Sequence, residues 1–368
     1  MTNISTQPDG ITMSSGGVYS LATLGAKVVI DQAGRWMRDA IYQMDIREFE
    51  DGFSIADIGC ADAGTSMEMV ESVISAIRSR NSESQIVIYY TDQPRNDFNA
   101  LIRNIHGIGD FNTYLKRYKN VYVLVSGTSF YEQMLPVGTL GLGFSATAMH
   151  WLSRKPGDIP NHVHMVGADS QEKEIFAAQA ALDWRRNLLH RANELAIGGR
   201  LILINFCVDE EGRYLGNTGK VNMFDMFNSI WQRFVDDGVI NEGEYEGMTL
   251  PQYYRTLAEF SAPFLDTSDP VYKSGLRLLD IETHITQCPY ATEFHQHRDK
   301  QRFADAYVET IRTWNESTYL SALSPSRSMT ERQSIIDAFY DCYKSHVLAE
   351  PDNHHMDYVH AFMTVERI

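Results

Sequence analysis

Apolar runs alternate with amphipathic stretches over the first two thirds of the chain. Residues 53–59 (FSIADIG) are mainly apolar and short enough for a buried strand, and residues 66–80 follow with apolar positions at helical spacing. Residues 86–91 (IVIYYT) predict a second strand and 97–106 a helix. Residues 121–126 (VYVLVS) predict a third strand and 140–145 a weaker fourth. A long helical pattern covers 171–195, with Gly198 and Gly199 read as the glycines that end it. Residues 201–206 (LILINF) are apolar on both faces, as strands covered on both sides are. This alternation implies a parallel sheet with helices on both sides, a doubly wound α/β core.

The rhythm then changes. Residues 220–265 read as helices rich in Met, Phe, Tyr and Trp, the stretch LPQYYRTLAEF included. Residues 276–286 return to strand-like alternation, 300–348 are mostly helical, and 358–367 give a final strand. The expected organisation is a flexible N-terminal segment (1–20), an α/β core from 21–208 and 270–368 with additional helices in its C-terminal part, and a mainly helical cap at 209–269. No internal repeat interrupts this plan.

Charge narrows the partners. The formal net charge is −16 and no dense Lys/Arg block occurs, which disfavours polynucleotides and anionic membrane surfaces. Cys60, Cys207, Cys288 and Cys342 are too far apart for a CxxC pair. The N-terminus lacks a basic flank with an apolar run, and no window approaches a span of about 20 apolar residues. The expectation is a soluble, cytoplasmic protein.

The chemistry concentrates where the first strand meets its helix. Residues 55–64 (IADIGCADAG) run from strand into a loop of small residues, through which backbone N–H groups can approach a ligand closely. Asp57 is costly to bury there without a partner. The spacing is not G-x-G-x-x-G, and Thr65 stands where a P-loop needs its Lys, so a ligand without phosphates fits better than NAD or ATP. Asp92, ending the second strand, is placed to accept from ribose hydroxyls.

Several stretches, in order, resemble the SABATH family of carboxyl and N-methyltransferases. They are Gly16–Ser20 (GGVYS), ADIGCADAGTS, TDQPRNDFNALI, SGTSFYEQMLPVGTLGLGFSATAMHWLSRKP and VNMFDMFNSIWQRFVDDGVI. The likeness covers roughly residues 15–265 and is most specific in TDQPRNDFNALI. It implies a Rossmann-like class I methyltransferase sheet with an inserted helical cap, S-adenosylmethionine as cofactor, a small-molecule carboxylic acid as substrate, and a homodimer. It further implies that Asp57 and Gly59 line the methionine end of the cofactor. Asp92 and Gln93 would take the ribose, Ser129 and Phe130 the adenine, and Tyr19 and Ser20 would lie near the sulfonium and the substrate. His150 and Trp151 would position the substrate, with Met223 and Phe224 lining its pocket.

The departures are informative. The family's carboxyl methyltransferases carry a Gln that helps hold the substrate carboxylate, and Ala26 stands there; Thr65 replaces the family's Asn. The segment linked to a metal in some members reads Met248-Thr249-Leu250-Pro251, so no metal is expected. The pattern resembles a divergent microbial or fungal branch. His162-x-His164 reads as a loop rather than a metal site, and Arg255 is one candidate to hold a second carboxylate on the substrate. A carboxylate acceptor, with a pKa near 4, needs no general base. A heterocyclic or phenolic acceptor would, and His150 is then the candidate. A third reading, a non-catalytic protein that binds an adenosyl ligand, would be favoured by loss of Asp57 or Asp92, and both are present.

Overall fold

The computed structural model of the protein describes residues 19–46, 52–108 and 111–368, with the side chains of Tyr19 and Leu21 excepted. Helices α1 (Tyr19–Ala22) and α2 (Leu24–Gln43) precede β1 (Phe53–Ile58), α3 (Met67–Arg80), β2 (Ile86–Asp92), α4 (Phe98–Ile105), β3 (Val121–Gly127), β4 (Leu140–Ala146), α5 (Ser170–Glu194) and β5 (Leu195–Val208). Then come α6 (Met223–Asp236), α7 (Glu242–Gly247), β6 (Arg255–Thr256), α8 (Leu257–Leu265), α9 (Pro270–Lys273) and β7 (Leu276–Thr286). Helices α10 (Pro289–His297), α11 (Lys300–Ala322) and α12 (Met329–Ala349) lead to β8 (Tyr358–Arg367).

The sheet order is β3-β2-β1-β4-β5-β8-β7, with β6 pairing β5 off this path. Strands β1 to β5 pair in parallel, while β8 is antiparallel to both β5 and β7. The parallel sheet expected from the alternation is therefore broken by one inverted strand. Period-two alternation divides the core between two faces. Ile202, Ile204 and Phe362 join the inward residues of α2 and α3, whereas Leu201, Leu203, Val359 and Val365 pack with Trp184 and Leu188 of α5 and Phe260 of α8.

Helix α2, absent from the expected elements, buries Val29, Ala33, Met37 and Ile41 against the sheet. Helix α5 starts with a capping box between Asp169 and Glu172 and stops at Glu194, before the glycine pair. Gly198 and Gly199 do not end that helix. They sit inside β5, where the register against β4 slips between Leu140 and Leu142 and Gly198 takes φ +77.

The helical layer is not confined to 209–269. Trp231 of α6 stacks on Phe339 of α12 (4.4 Å, 7°), and Tyr319 of α11 packs edge-on against it (5.3 Å). Residues 300–349 thus cover the same side as α6. Conversely, α8 lies against β7 and α9, and its Phe260 carbonyl accepts from Trp184 Nε1 at 3.1 Å. Nor is 250–256 helical: Pro251 lacks the N–H a helix interior needs, and α8 starts only after the Thr256–Glu259 capping box.

Candidate active site

The carboxyl ends of β1, β2 and β4 converge on the small-residue loop between β1 and α3. Gly59 turns the chain at φ +79, and a Cβ there would lie 2.8 Å from Ala148 Cβ. Ala61 (φ 48) and Ala63 (φ 61) also take left-handed backbone, a conformation that non-glycine residues keep only where their surroundings enforce it. The enforcing bonds are local. Gly59 and Cys60 N–H donate to Thr91 O (2.8 and 3.2 Å), Ala61 N–H to Asp92 Oδ2 (2.7 Å), and Asn96 Nδ2 to Ala61 O (2.7 Å).

Three carboxyl groups surround this loop. Asp57 accepts from the Ser66 hydroxyl at 2.5 Å; burial pushes its pKa up to about 7, the Ser66 bond opposes that rise, and Asp92 adds to it. Asp92 accepts from the N–H groups of Ala61 and Gln93, each at 2.7 Å, and burial holds it above the usual carboxylate range. Asp62 accepts from Ser20 N–H (3.2 Å), the Ser20 hydroxyl and Gly64 N–H (3.2 Å), and burial raises it too. A cation brought among these groups favours their ionised forms. The donor set therefore fits a cationic ligand such as S-adenosylmethionine, and the loop has no lysine to greet a phosphate.

Two small cavities adjoin here. The first, about 20 Å³, is lined by Asp57, Gly59, Cys60, Ala61 and Thr65 on the loop and by Ala26, Phe144 and Thr147 opposite. The second, about 50 Å³, has Thr23 and Ala26 on one wall, His150 and Trp151 on another, and Phe206, Gln252, Tyr254, Trp314 and Tyr358 around them. Ala26 and Thr147 line both, so the cavities meet there. Thr147 holds φ 55 at that boundary, with its N–H on Ile204 O at 2.9 Å.

His150 is packed among Phe206 (4.9 Å, edge-on), Trp151 (5.5 Å) and Tyr254 (5.9 Å). Its Nδ1 is buried with no hydrogen-bond partner among the described residues. Burial pushes its pKa well below the usual histidine value, with His360 and Arg255 pushing the same way, so the ring is neutral.

The structure brings some expected residues together and holds others apart. Asp57, Gly59, His150 and Trp151 line the paired cavities, and Asp92 and Gln93 border the loop at Ala61. Ser20 ties α1 to the loop, accepting from Thr65 N–H at 3.0 Å as well as bonding Asp62. Residues 1–18 and the Tyr19 side chain lie outside the described residues, so the closing N-terminal segment and the role expected of Tyr19 do too.

Ser129 and Phe130 sit after β3 and line neither cavity. Ser129 Oγ accepts from Tyr131 N–H (3.3 Å), and Phe130 is buried with Trp184 and Leu188 while its carbonyl accepts from Arg191 Nη1 (2.9 Å). Met223 and Phe224 open α6 one layer behind the second cavity, Phe224 stacking on His164 (3.9 Å, 6°). Arg255 does not face a substrate. It is buried in the core, its two terminal nitrogens donating to Met149 O (3.0 Å) and Ala180 O (2.7 Å) between Trp184 and Phe260, while its Nε has no partner among the described residues. His162 bonds His164 O (2.9 Å) and Asp225 Oδ1 (3.2 Å) through its two ring nitrogens.

The pattern reading missed Thr23, Thr147, Gln252, Tyr254, Trp314 and Tyr358 as cavity residues. For Gln252 and Tyr254 a signal existed: Pro251 marks extended backbone, in which alternate side chains share a face.

Comparison with known proteins bears on the family and the fold. Residues 16–368 match the family model described as SAM dependent carboxyl methyltransferase. Gibberellic acid methyltransferase 1 of Arabidopsis thaliana is 28% identical over 234 residues, covering 56% of this chain and 60% of its own. Loganic acid O-methyltransferase of Catharanthus roseus is 25% identical over 221 residues, covering 56% and 57%. The chain thus spans less than two thirds of the length of these two curated relatives. A solved structure of loganic acid methyltransferase with SAH shares the fold, with a TM-score of 0.75 at 19% identity over 97% of this chain and 98% of that one.

Proposed function

The chain belongs to the family of SAM-dependent carboxyl methyltransferases, and on that premise we propose that it forms the methyl ester of a small-molecule carboxylic acid. S-Adenosylmethionine supplies an electrophilic methyl group. Asp57, Gly59 and Asp92 hold it at the loop, the first two beside its methionine end and the last on its ribose. His150 and Trp151 position the acid in the second cavity, and the shared wall at Ala26 and Thr147 is where the two reacting groups meet.

The observation that carries the reading is the lack of a competent base. Among the described residues lining the second cavity there is no Asp, Glu, Lys or Arg, and its one histidine is held neutral well below its usual pKa. So weak a base takes a proton poorly from a phenol, whose pKa is near 10. A carboxylate arrives already deprotonated, and the apolar walls strip its hydration. The relatives named for gibberellic and loganic acids support an acid as acceptor.

At about 50 Å³ the cavity is far below the roughly 300 Å³ of ordinary ligand sites, so binding must move its walls. The homodimer expected from the resemblance belongs to this proposal, and light scattering should give twice the chain mass. The cytoplasmic assignment does as well, supported by the absence of a helix long and apolar enough to cross a membrane among the described residues.

The test is transfer of labelled methyl from S-adenosylmethionine to a panel of acids, phenols and N-heterocycles. A product cleaved by mild base is expected from an acid. A base-stable product from a heterocycle or phenol would replace the carboxyl reading.

A further inference from the structure

We propose that Gln252 supplies an amide N–H that holds the acid's carboxylate, from the wall opposite α2. The assignment rests on the carboxyl reading above and identifies what stands in for a donor at Ala26. After a tight turn at Pro251, in which Gln252 N–H donates to Leu250 O at 2.8 Å, residues 252–254 run against the segment after β4. Trp151 and Gln252 form an antiparallel bridge, Leu152 N–H donates to Pro251 O at 2.8 Å, and Tyr253 N–H donates to His150 O at 2.9 Å. Alternate side chains of an extended segment share a face. Gln252 and Tyr254 accordingly line the second cavity, while the Tyr253 hydroxyl donates to Glu259 at 2.7 Å.

Gln252 is completely buried. Its Oε1 accepts from the Tyr254 hydroxyl at 3.3 Å and faces His164, which leaves the Nε2 amide hydrogens. That nitrogen has no hydrogen-bond partner among the described residues, and neither does His150 Nδ1 on the same cavity. A buried amide donor is costly and rare unless an acceptor meets it, and His150 in its Nδ1–H tautomer would add a second donor to the same cavity. A carboxylate offers two oxygens with four acceptor positions and satisfies more than one such donor at once. Uncharged donors also suit the reaction: they orient the carboxylate without the strong ground-state attraction of a cation, which would be lost as its charge disappears on methylation.

The experiment measures binding of a monocarboxylate panel (benzoate, phenylacetate, octanoate) and of the matching primary amides to protein saturated with S-adenosylhomocysteine. Native protein and Gln252→Met are compared by calorimetry, and the accepted acid is then followed by methyl-transfer kinetics. In the Met variant the acid should bind weaker by on the order of 10- to 100-fold. KM should rise with it, while affinities for S-adenosylhomocysteine and for the neutral amide stay unchanged. Gln252→Asn, which keeps the amide one methylene back, should lose less than Gln252→Met. Unchanged acid binding in the Met variant overturns the assignment. So does an equal loss for acid and amide, which would mean a packing role. Native protein that binds no acid but methylates a heterocycle or phenol overturns the carboxyl reading itself, and this assignment with it.

Discussion

Affinity for S-adenosylmethionine should rise with pH through about 7, and Asp57→Asn should abolish the rise. Asp57 is pushed from 3.8 up to about 7 by burial, with Ser66 opposing the shift and Asp92 adding to it. That displacement corresponds to about 4 kcal/mol of preference for the neutral acid in the free protein. The donor brings a cationic amino group and a sulfonium to the same loop, and both favour the carboxylate. If the ionised form is the one that binds, only about a tenth of the protein is competent one pH unit below its pKa. Apparent affinity should then be roughly tenfold weaker at pH 6 than on the alkaline plateau, and roughly a hundredfold weaker at pH 5. Calorimetry between pH 5.5 and 7.5 keeps the ligand's own amine, with a pKa near 8, largely protonated. Running each pH in two buffers of different ionisation enthalpy counts the protons released, which should approach one near pH 6. The Asn variant should release none there and bind with the weak affinity native protein shows at low pH. Flat binding of native protein across this range would refute the reasoning. Persistence of the slope in Asp57→Asn would move the titration to Asp92 or Asp62, both also raised by burial.

The same group sets a stability dependence. Its folded pKa lies above its unfolded value, so its contribution is fully present below about 4 and is lost as pH rises through about 7. Asp57→Asn should therefore gain up to about 4 kcal/mol over native protein at pH 8 relative to pH 4, read from denaturant unfolding at both pH values. Arg191 and Glu194 are fully buried partners at 2.6 Å, and Arg191 also holds the carbonyls of Phe130 and Glu132. Arg191→Met leaves Glu194 unpaired and should cost about 3–5 kcal/mol, whereas a loss under 1 kcal/mol would show that the pair does not anchor this loop. Trp151→Ala should spare S-adenosylhomocysteine affinity and cut methyl transfer by at least about tenfold, and unchanged turnover would remove Trp151 from the acceptor site.

Local pattern made the donor half of the site readable and left the acceptor half obscure. The six buried residues of β1, the small residues after it and Asp92 on the neighbouring strand lie within about 40 positions, and their meeting follows from one β–α turn and one strand pairing. The acceptor cavity instead gathers Thr23, His150, Phe206, Gln252, Trp314 and Tyr358 from segments hundreds of residues apart. No periodicity announces such a meeting. Helix α2 was legible too, although absent from the expected elements: Val29, Ala33, Met37 and Ile41 recur at helical spacing, and Arg35 falls on the opposite, exposed face. The aromatic stripe of α6 was legible as helix but not as to what it faces: Phe224 and Trp231 meet other rings, His164 and Phe339, and line neither cavity.

The two halves of the site differ in charge in a way that sorts the two reactants. Asp57, Asp62 and Asp92 crowd the donor side, so a carboxylic acid straying there meets like charge in a poorly solvated place. Among the described residues the acceptor cavity has no charged side chain on its wall, so a sulfonium there would meet no counter-charge. In the proposed reaction each reactant would thereby be held to its own side of the Ala26–Thr147 boundary. Across it the pair is a cation facing an anion, and the reaction leaves two neutral products. A low-dielectric acceptor side strengthens that attraction and resists the separated charges. An arginine on the acceptor wall would bind the acid more tightly but would stabilise the charge that the reaction removes. With Arg255 turned into the core, the proposed contacts to the acid are neutral donors, which would keep the carboxylate oriented and still reactive.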